Sequence, residues 1–141
     1  MFKTIIMAYD GSAGSERVLL YAEHVARTEN AEIIVVHAYE APKVYEWTES
    51  YDAFVKGYER IANEVTDDAV QALRGDGVNA MSDVRVGPPV RAILEAVGFH
   101  QADMIVMGGR AQKRDNVTEA LLGSVSTAVL RYANCPVLVV P

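Results

Sequence analysis

Four short runs of almost uninterrupted apolar residues constrain the fold more than any other feature of this chain. They are TIIMAY (4–9), EIIVVHAY (32–39), MIVMG (104–108) and PVLVV (136–140). A strand with one wet face alternates polar and apolar residues, whereas a strand buried on both faces does not. These runs therefore predict strands covered by helices on both faces, PVLVV being the final one with Pro136 at its edge. A fifth segment, MSDVRV (81–86), alternates and predicts a strand with one face less buried. Helical periodicity fills the gaps. Val18, Ala22, Val25 and Ala26 share one face, and Phe54, Tyr58, Ile61, Val65, Ala69 and Ala72 recur at spacings of three and four. Val90, Ile93, Leu94 and Val97 form a third face, behind a Gly87-Pro88-Pro89 punctuation that suits a helix start. SVSTAVLRYA supplies the last helix. Strict alternation of such strands and helices predicts an α/β three-layer sandwich, a parallel sheet between two helical layers. Residues 1–141 form one domain, without internal repeat or linker.

The bulk numbers narrow the function classes. Half the residues are hydrophobic and 23% are charged, the balance of a globular protein. The net charge of −6 argues against general nucleic-acid binding. Cys135 is the only cysteine, so an internal disulfide is excluded and a reducing compartment fits. It reads as a small buried apolar residue. The opening MFKTIIMAYDG lacks the pattern of a signal peptide, and no run approaches the ~18 apolar residues of a membrane span. The expected location is cytoplasmic, without membrane insertion.

In open parallel sheets, ligands sit beyond the carboxyl ends of the strands, where the strand order reverses. That rule selects Asp10-Gly11-Ser12, His37-Ala38, Gly87 and the stretch from Gly108 onward. Asp10 has two readings. It closes a turn while Ser12 caps the next helix, or it offers a carboxylate to ribose hydroxyls or to a magnesium ion. The stretch MGGRAQKRDNVTEALLGS (107–124) starts at a strand tip and ends at a helix start. Gly108 and Gly109 allow close backbone approach. Gly123-Ser124 offers free N–H groups and the positive helix end to an anion, with hydroxyls from Ser124 and Ser126, or Ser124 merely caps the helix. Lys113 and Arg114 read as an exposed basic pair or as phosphate partners. Tyr39, Tyr45, Trp47 and Tyr51 decorate the connection after the second strand, as packing residues or as a flank for a purine ring. His24 and His100 read as surface residues, and His37 as a hydrogen-bonded structural histidine. No Walker loop, dinucleotide fingerprint, metal-spaced His/Cys cluster or nucleophile elbow is present, so the residues point to no catalytic group.

Taken in order, KTIIMAYDGS, IIVVHAYE, VGPPVRAILEAV, DMIVMGGR and LLGSVSTAVLRYANCPVLVV resemble the universal stress protein family from Met1 to Pro141. The last block is the most specific. The resemblance implies a five-stranded parallel sheet of order 3-2-1-4-5, Rossmann-like and similar to adenine nucleotide alpha hydrolases. It also implies a role in stress response and regulation. One branch of the family binds ATP through a Gly-x2-Gly-x9-Gly-Ser/Thr motif. Carried over, that branch implies adenosine contacts at Ala8, Tyr9, Asp10 and Ala38. It implies phosphate contacts at Gly108, Gly123, Ser124, Val125 and Ser126, with Met107, Gly109 and Arg110 also at the nucleotide. ATP, AMP or another adenine nucleotide is the implied ligand, with magnesium held through the nucleotide and Asp10 as its one candidate protein contact. A homodimer through residues 136–140 is implied as well.

The sequence departs from the motif at its middle glycine. Counted back from Gly123 that position is Lys113, and counted forward from Gly108 it is Ala111, which leaves eleven residues, 112–122, before Gly123. Three functions compete: a nucleotide-binding regulator, a dimeric stress protein that binds no nucleotide and acts through protein partners, and a slow ATPase or autophosphorylating protein using Ser124 or Ser126.

Overall fold

The computed structural model describes residues 1–43, 46–109 and 122–141. Nine elements alternate along the described residues. The strands are β1 (Thr4–Ala8), β2 (Glu32–Tyr39), β3 (Ala80–Val86), β4 (Met104–Gly108) and β5 (Val137–Val140). The helices are α1 (Ala13–Glu29), α2 (Tyr51–Gly75), α3 (Pro89–His100) and α4 (Ser124–Tyr132). All pairings are parallel, in the order β3-β2-β1-β4-β5. The expected topology is therefore present, with β1 in the middle. Ile5 lies opposite Ile33 on one side and Met104 on the other.

Side chains of a strand alternate between faces, so each central strand feeds two cores. Ile5 and Met7 join Ile33, Val35 and Val106 beneath α1 and α2, where Val18, Ala22 and Leu73 pack. Ile6 joins Ile34, Val36, Ile105 and Met107 beneath α3 and α4, where Ile93, Ala96 and Val129 pack. Ile5, Ile6 and Met7 are fully buried. Each such side chain is worth roughly 1.5–3 kcal/mol, which explains why no polar residue stands from Ile5 to Met7 or from Ile33 to Val36.

α2 meets the sheet on a face turned from the predicted one. Its buried residues are Ala62, Thr66, Ala69, Val70 and Leu73, while Ile61 and Ala72 are exposed. Thr66 hides from a hydrophobic-pattern reading because it is polar. Its hydroxyl is satisfied within the helix, donating to the carbonyls of Ala62 (3.3 Å) and Asn63 (3.0 Å).

The second departure is His100. It is a half-buried partner and not a surface residue. Its Nε2 donates to Asp83 Oδ2 at 2.7 Å, joining the end of α3 to edge strand β3. Arg85 grips the same carboxylate with two bonds of 3.0 Å each. Burial pushes the Asp83 carboxyl up, but the bonds from Arg85 and His100 outweigh it and hold the group below the usual carboxylate range. Cys135 is only partly buried, packs against the α3/α4 core, and has its thiol pushed up by burial.

Candidate functional site

β1 ends at Ala8, and the chain must turn sharply to enter α1. Gly11 makes the turn, with φ of +80°. A side chain there would be strained by that backbone and would press on Val65. Asp10 folds its carboxylate back over the first turn of α1. Oδ1 accepts the Ser12 N–H at 2.9 Å and the Ser15 hydroxyl, while the Asp10 N–H donates to Ser15 Oγ at 3.1 Å. Ser12 holds the N-cap position, but its side chain makes no capping bond. The expected Ser12 cap is thus not formed, while the expected Asp10 turn is, its carboxylate bonding the backbone N–H two residues on with a charge that suits the nearby helix N-terminus. Partial burial pushes the Asp10 carboxyl up. The bonds from Ser12 and Ser15, helped by nearby His37, hold it below its ordinary value.

Beside Asp10, the Tyr9 hydroxyl donates to Glu16 at 2.6 Å. Burial and the Glu16 bond push the phenol well above its ordinary value. The Tyr9 carbonyl faces His37 Nδ1 at 2.8 Å. A carbonyl only accepts, so Nδ1 carries the proton.

The far wall is built from the end of β4 and the start of α4. Gly123 occupies the N-cap position and Ser124 is the first helical residue, so the expected Ser124 cap is not formed. The Thr127 N–H reaches the Gly123 carbonyl at 3.0 Å. Ser124, Val125 and Ser126 therefore sit in the first turn, where N–H groups have no partner within the helix. Ser126 is buried, and its hydroxyl donates to the Gly108 carbonyl at 2.6 Å, fastening the helix start to the strand tip.

The two glycines at the end of β4, Gly108 within it and Gly109 just after it, differ. A Cβ on Gly108 would meet Val18 at 3.6 Å, an ordinary contact. A Cβ on Gly109 would collide with Val139. Gly109 also donates to the Val140 carbonyl and accepts from the Gly123 N–H, both at 2.9 Å. Its lack of a side chain serves packing within the protein.

These walls enclose one cleft of about 990 Å³ at the switch point between β1 and β4. Ala8, Tyr9, Asp10 and Ala38 line one side. Met107, Gly108, Gly109, Gly123, Ser124, Val125 and Ser126 line the other. Of the residues expected at the site, Arg110 lies outside the described residues, as do Ala111, Lys113 and Arg114. Among the described aromatics of the 39–51 connection, Tyr39, Trp47 and Tyr51 do not line the cleft. Tyr51 instead lies beside Phe54, with ring centroids 6.3 Å apart, and Tyr45 is outside the described residues.

Sequence reasoning missed several cleft residues. Ser15 and Arg17 come from the first turns of α1, and Ile93 from α3. Arg17 is the one arginine or lysine lining the cleft among the described residues. Its place one turn after the Asp10-Gly11-Ser12 triplet was the available signal. Among the described residues, no cluster of three or more His, Cys, Asp or Glu has a metal-holding arrangement. No described helix is long and apolar enough to cross a membrane.

This arrangement has counterparts. A curated relative, a universal stress protein of Thermus aquaticus encoded in a QAH/OAS sulfhydrylase 3′ region, is 36% identical over 140 residues, covering 99% of each chain. Among solved structures, hypothetical protein MJ0577 superposes with a TM-score of 0.83 at 26% identity, covering 99% of this chain and 96% of its own. A universal stress protein in complex with cAMP gives 0.75 at 25% identity, covering 99% and 97%. The universal stress protein of Archaeoglobus fulgidus in complex with dAMP gives 0.70 at 26%, covering 99% and 98%. The profile of the Universal stress protein family matches residues 1–141, and with the sheet order and the switch-point cleft in agreement, this chain belongs to that family.

Proposed function

We propose that this protein binds an adenine nucleotide, ATP, in the switch-point cleft and acts as a nucleotide-responsive regulator in stress response. The observation that carries the reading is the fastening of α4 to β4. The Ser126–Gly108 bond fixes a helix start, with the N–H groups of Ser124, Val125 and Ser126 in its first turn, on the same cleft as Asp10 and Ala38. Such a helix start favours phosphate, and the opposite wall has room and polarity for a nucleoside. The two relatives with cAMP and dAMP support an adenine nucleotide as the ligand class.

Magnesium would depend on the nucleotide. Among the described cleft residues only Asp10 supplies a side-chain carboxylate, and its Oδ1 is already taken by Ser12 and Ser15. The phosphates would therefore be the ion's main ligands. Turnover is not part of the proposal. The Ser126 hydroxyl is buried and committed to Gly108, which makes it a poor phosphate acceptor. Dimerisation through β5 belongs to the same reading, because β5 is an edge strand among the described residues.

Calorimetry and thermal melting with ATP test the binding. A ligand that binds only the native state at 100 times its Kd adds about 2.7 kcal/mol of stability. The expected result is a saturable heat and a rise in Tm. No heat and no shift at millimolar ATP or AMP would overturn the reading in favour of a dimeric protein that acts through partners alone.

A further inference from the structure

Four arginines are committed to the fold. Arg27 bonds Glu23 and the Asp76 carbonyl, Arg74 the Ala80 carbonyl, Arg85 the Asp83 carboxylate, and Arg91 pairs with Glu95. Arg17 is not. Among the described residues, no carboxylate or carbonyl accepts from it. Its guanidinium rests 5.9 Å from the centre of the Tyr21 ring, one turn further along α1. That lies near the outer limit of such contacts, about 6 Å. Yet Arg17 lines the cleft.

Its setting is open. Ala13, Gly14 and Arg17 stand three and four residues apart, so they share one face of α1, and all three line the cleft. A Cβ on Gly14 would meet only the Ser12 hydroxyl, at 3.8 Å. Long helical side chains lean toward the helix N-terminus, so Arg17 has free space over Ala13 and Gly14. The neighbouring Val18 faces the tip of β4, 3.6 Å from where a Gly108 Cβ would stand. This part of α1 therefore stands against the strand end to which Ser126 fastens α4. The electrostatics call for a cation there. The chain carries a net charge of −6, which repels a polyanion. The start of α4 offers about half a positive charge, which suits one phosphate better than three.

We propose that Arg17 grips the terminal phosphate and so makes the cleft read the length of the phosphate chain. The start of α4, tied down by buried Ser126, takes the phosphate nearest the sugar. Arg17, exposed at the rim, meets the outer end of the chain. Its planar fork of N–H donors matches two phosphate oxygens at once. The cleft then prefers triphosphates to monophosphates, and the protein responds to their ratio and not to the adenine pool as a whole. The proposal rests on the nucleotide reading above and adds the number of phosphates to it.

The test is a ratio of affinities. ATP and AMP are titrated by calorimetry into the full chain, Arg17→Gln and Arg17→Lys, at one ionic strength because salt screens an exposed pair. The native chain is expected to prefer ATP by about 10-fold or more, the value of a charge-assisted bond. Arg17→Gln should cut that preference to about 3-fold or less. Arg17→Lys, which keeps the charge but loses the fork, should fall between the two. Arg17 makes no bond to the described fold, so the melting temperature without nucleotide should match the native one. A merely structural role would weaken both nucleotides equally and leave the ratio unchanged. An unchanged ratio in Arg17→Gln, or a native ratio near one, overturns the proposal and leaves nucleotide binding intact. Failure of both nucleotides to bind the native chain overturns the nucleotide reading itself, and the proposal with it.

Discussion

Asp83 sets the terms of the chain's acid stability at one edge of the sheet. Its carboxylate is gripped by Arg85 and His100 and is held below its ordinary range. The sign of the consequence follows from linkage. A depressed carboxyl contributes its full stability above the unfolded value, near pH 4, and loses it as pH falls through the folded value. Asp83→Asn keeps the shape and removes the charge. The variant should be less stable by about 1–2 kcal/mol at pH 7, since bonds to a charged group are worth roughly that after solvent screening. The gap should shrink as pH falls through the folded value, which lies below the ordinary carboxylate range, because the native carboxyl then becomes neutral as well. Urea unfolding at pH 7 and at successively lower pH follows the change. A gap that does not shrink as pH falls would locate the effect in packing and not in charge.

At the scale of elements, α4 is only as well placed as its first turn. Ser126 ties that turn to the end of β4, and the Gly108 carbonyl is the partner it leaves behind when truncated. Ser126→Ala should therefore cost about 0.5–1.5 kcal/mol of stability, the net worth of one hydrogen bond, since Gly108 is exposed and water can reach its carbonyl. It should also weaken nucleotide binding, although the lost hydroxyl points at Gly108 and not at the ligand. Thermal melting and calorimetry on one preparation check the pair. Full binding with reduced stability would mean that the helix start needs no such anchor. The sequence reveals α4 clearly but not this bond. β2 and β4 were legible to the residue because burial on both faces leaves an apolar run, residues 33–36 in β2 and Met104–Gly108 in β4. α2 was legible as a helix but not as a face, because Thr66 is in the core and Ile61 is outside it. The same limit applies at the site. Asp10, Gly108 and Gly123-Ser124 stand at strand ends and helix starts, where chain punctuation marks them. Ser15 and Arg17 sit inside a helix, and the roles of His37 and His100 depend on partners 28 and 17 residues away.

For the whole molecule, the two edges of the sheet carry different chemistry. β3 holds Asp83 and Arg85, and charge on an edge strand resists pairing with another sheet. β5 is Val-Leu-Val-Val, with no charge. Its Pro136 and Val140 carbonyls accept from Ile105 and Gly109, so the intervening alternation turns the N–H and C=O groups of Val137 and Val139 away from β4. A second copy pairing there would extend the sheet and cover these groups. The same strand also supports the cleft, since Val139 packs over Gly109 and Val140 lines the pocket. A dimer through β5 would therefore bring two cleft walls close to one interface. Val139→Pro removes an outward donor without removing a bond to β4, and proline is tolerated on an edge in that orientation. The native chain should sediment as a dimer and the variant as a monomer, with unchanged far-ultraviolet circular dichroism as the check on folding. The melting temperature of the native chain should also rise with protein concentration, as mass action requires of a dimer, and that of the variant should not. A native chain that sediments as a monomer at all concentrations would remove β5 as the dimer edge and leave the cleft a property of the single chain.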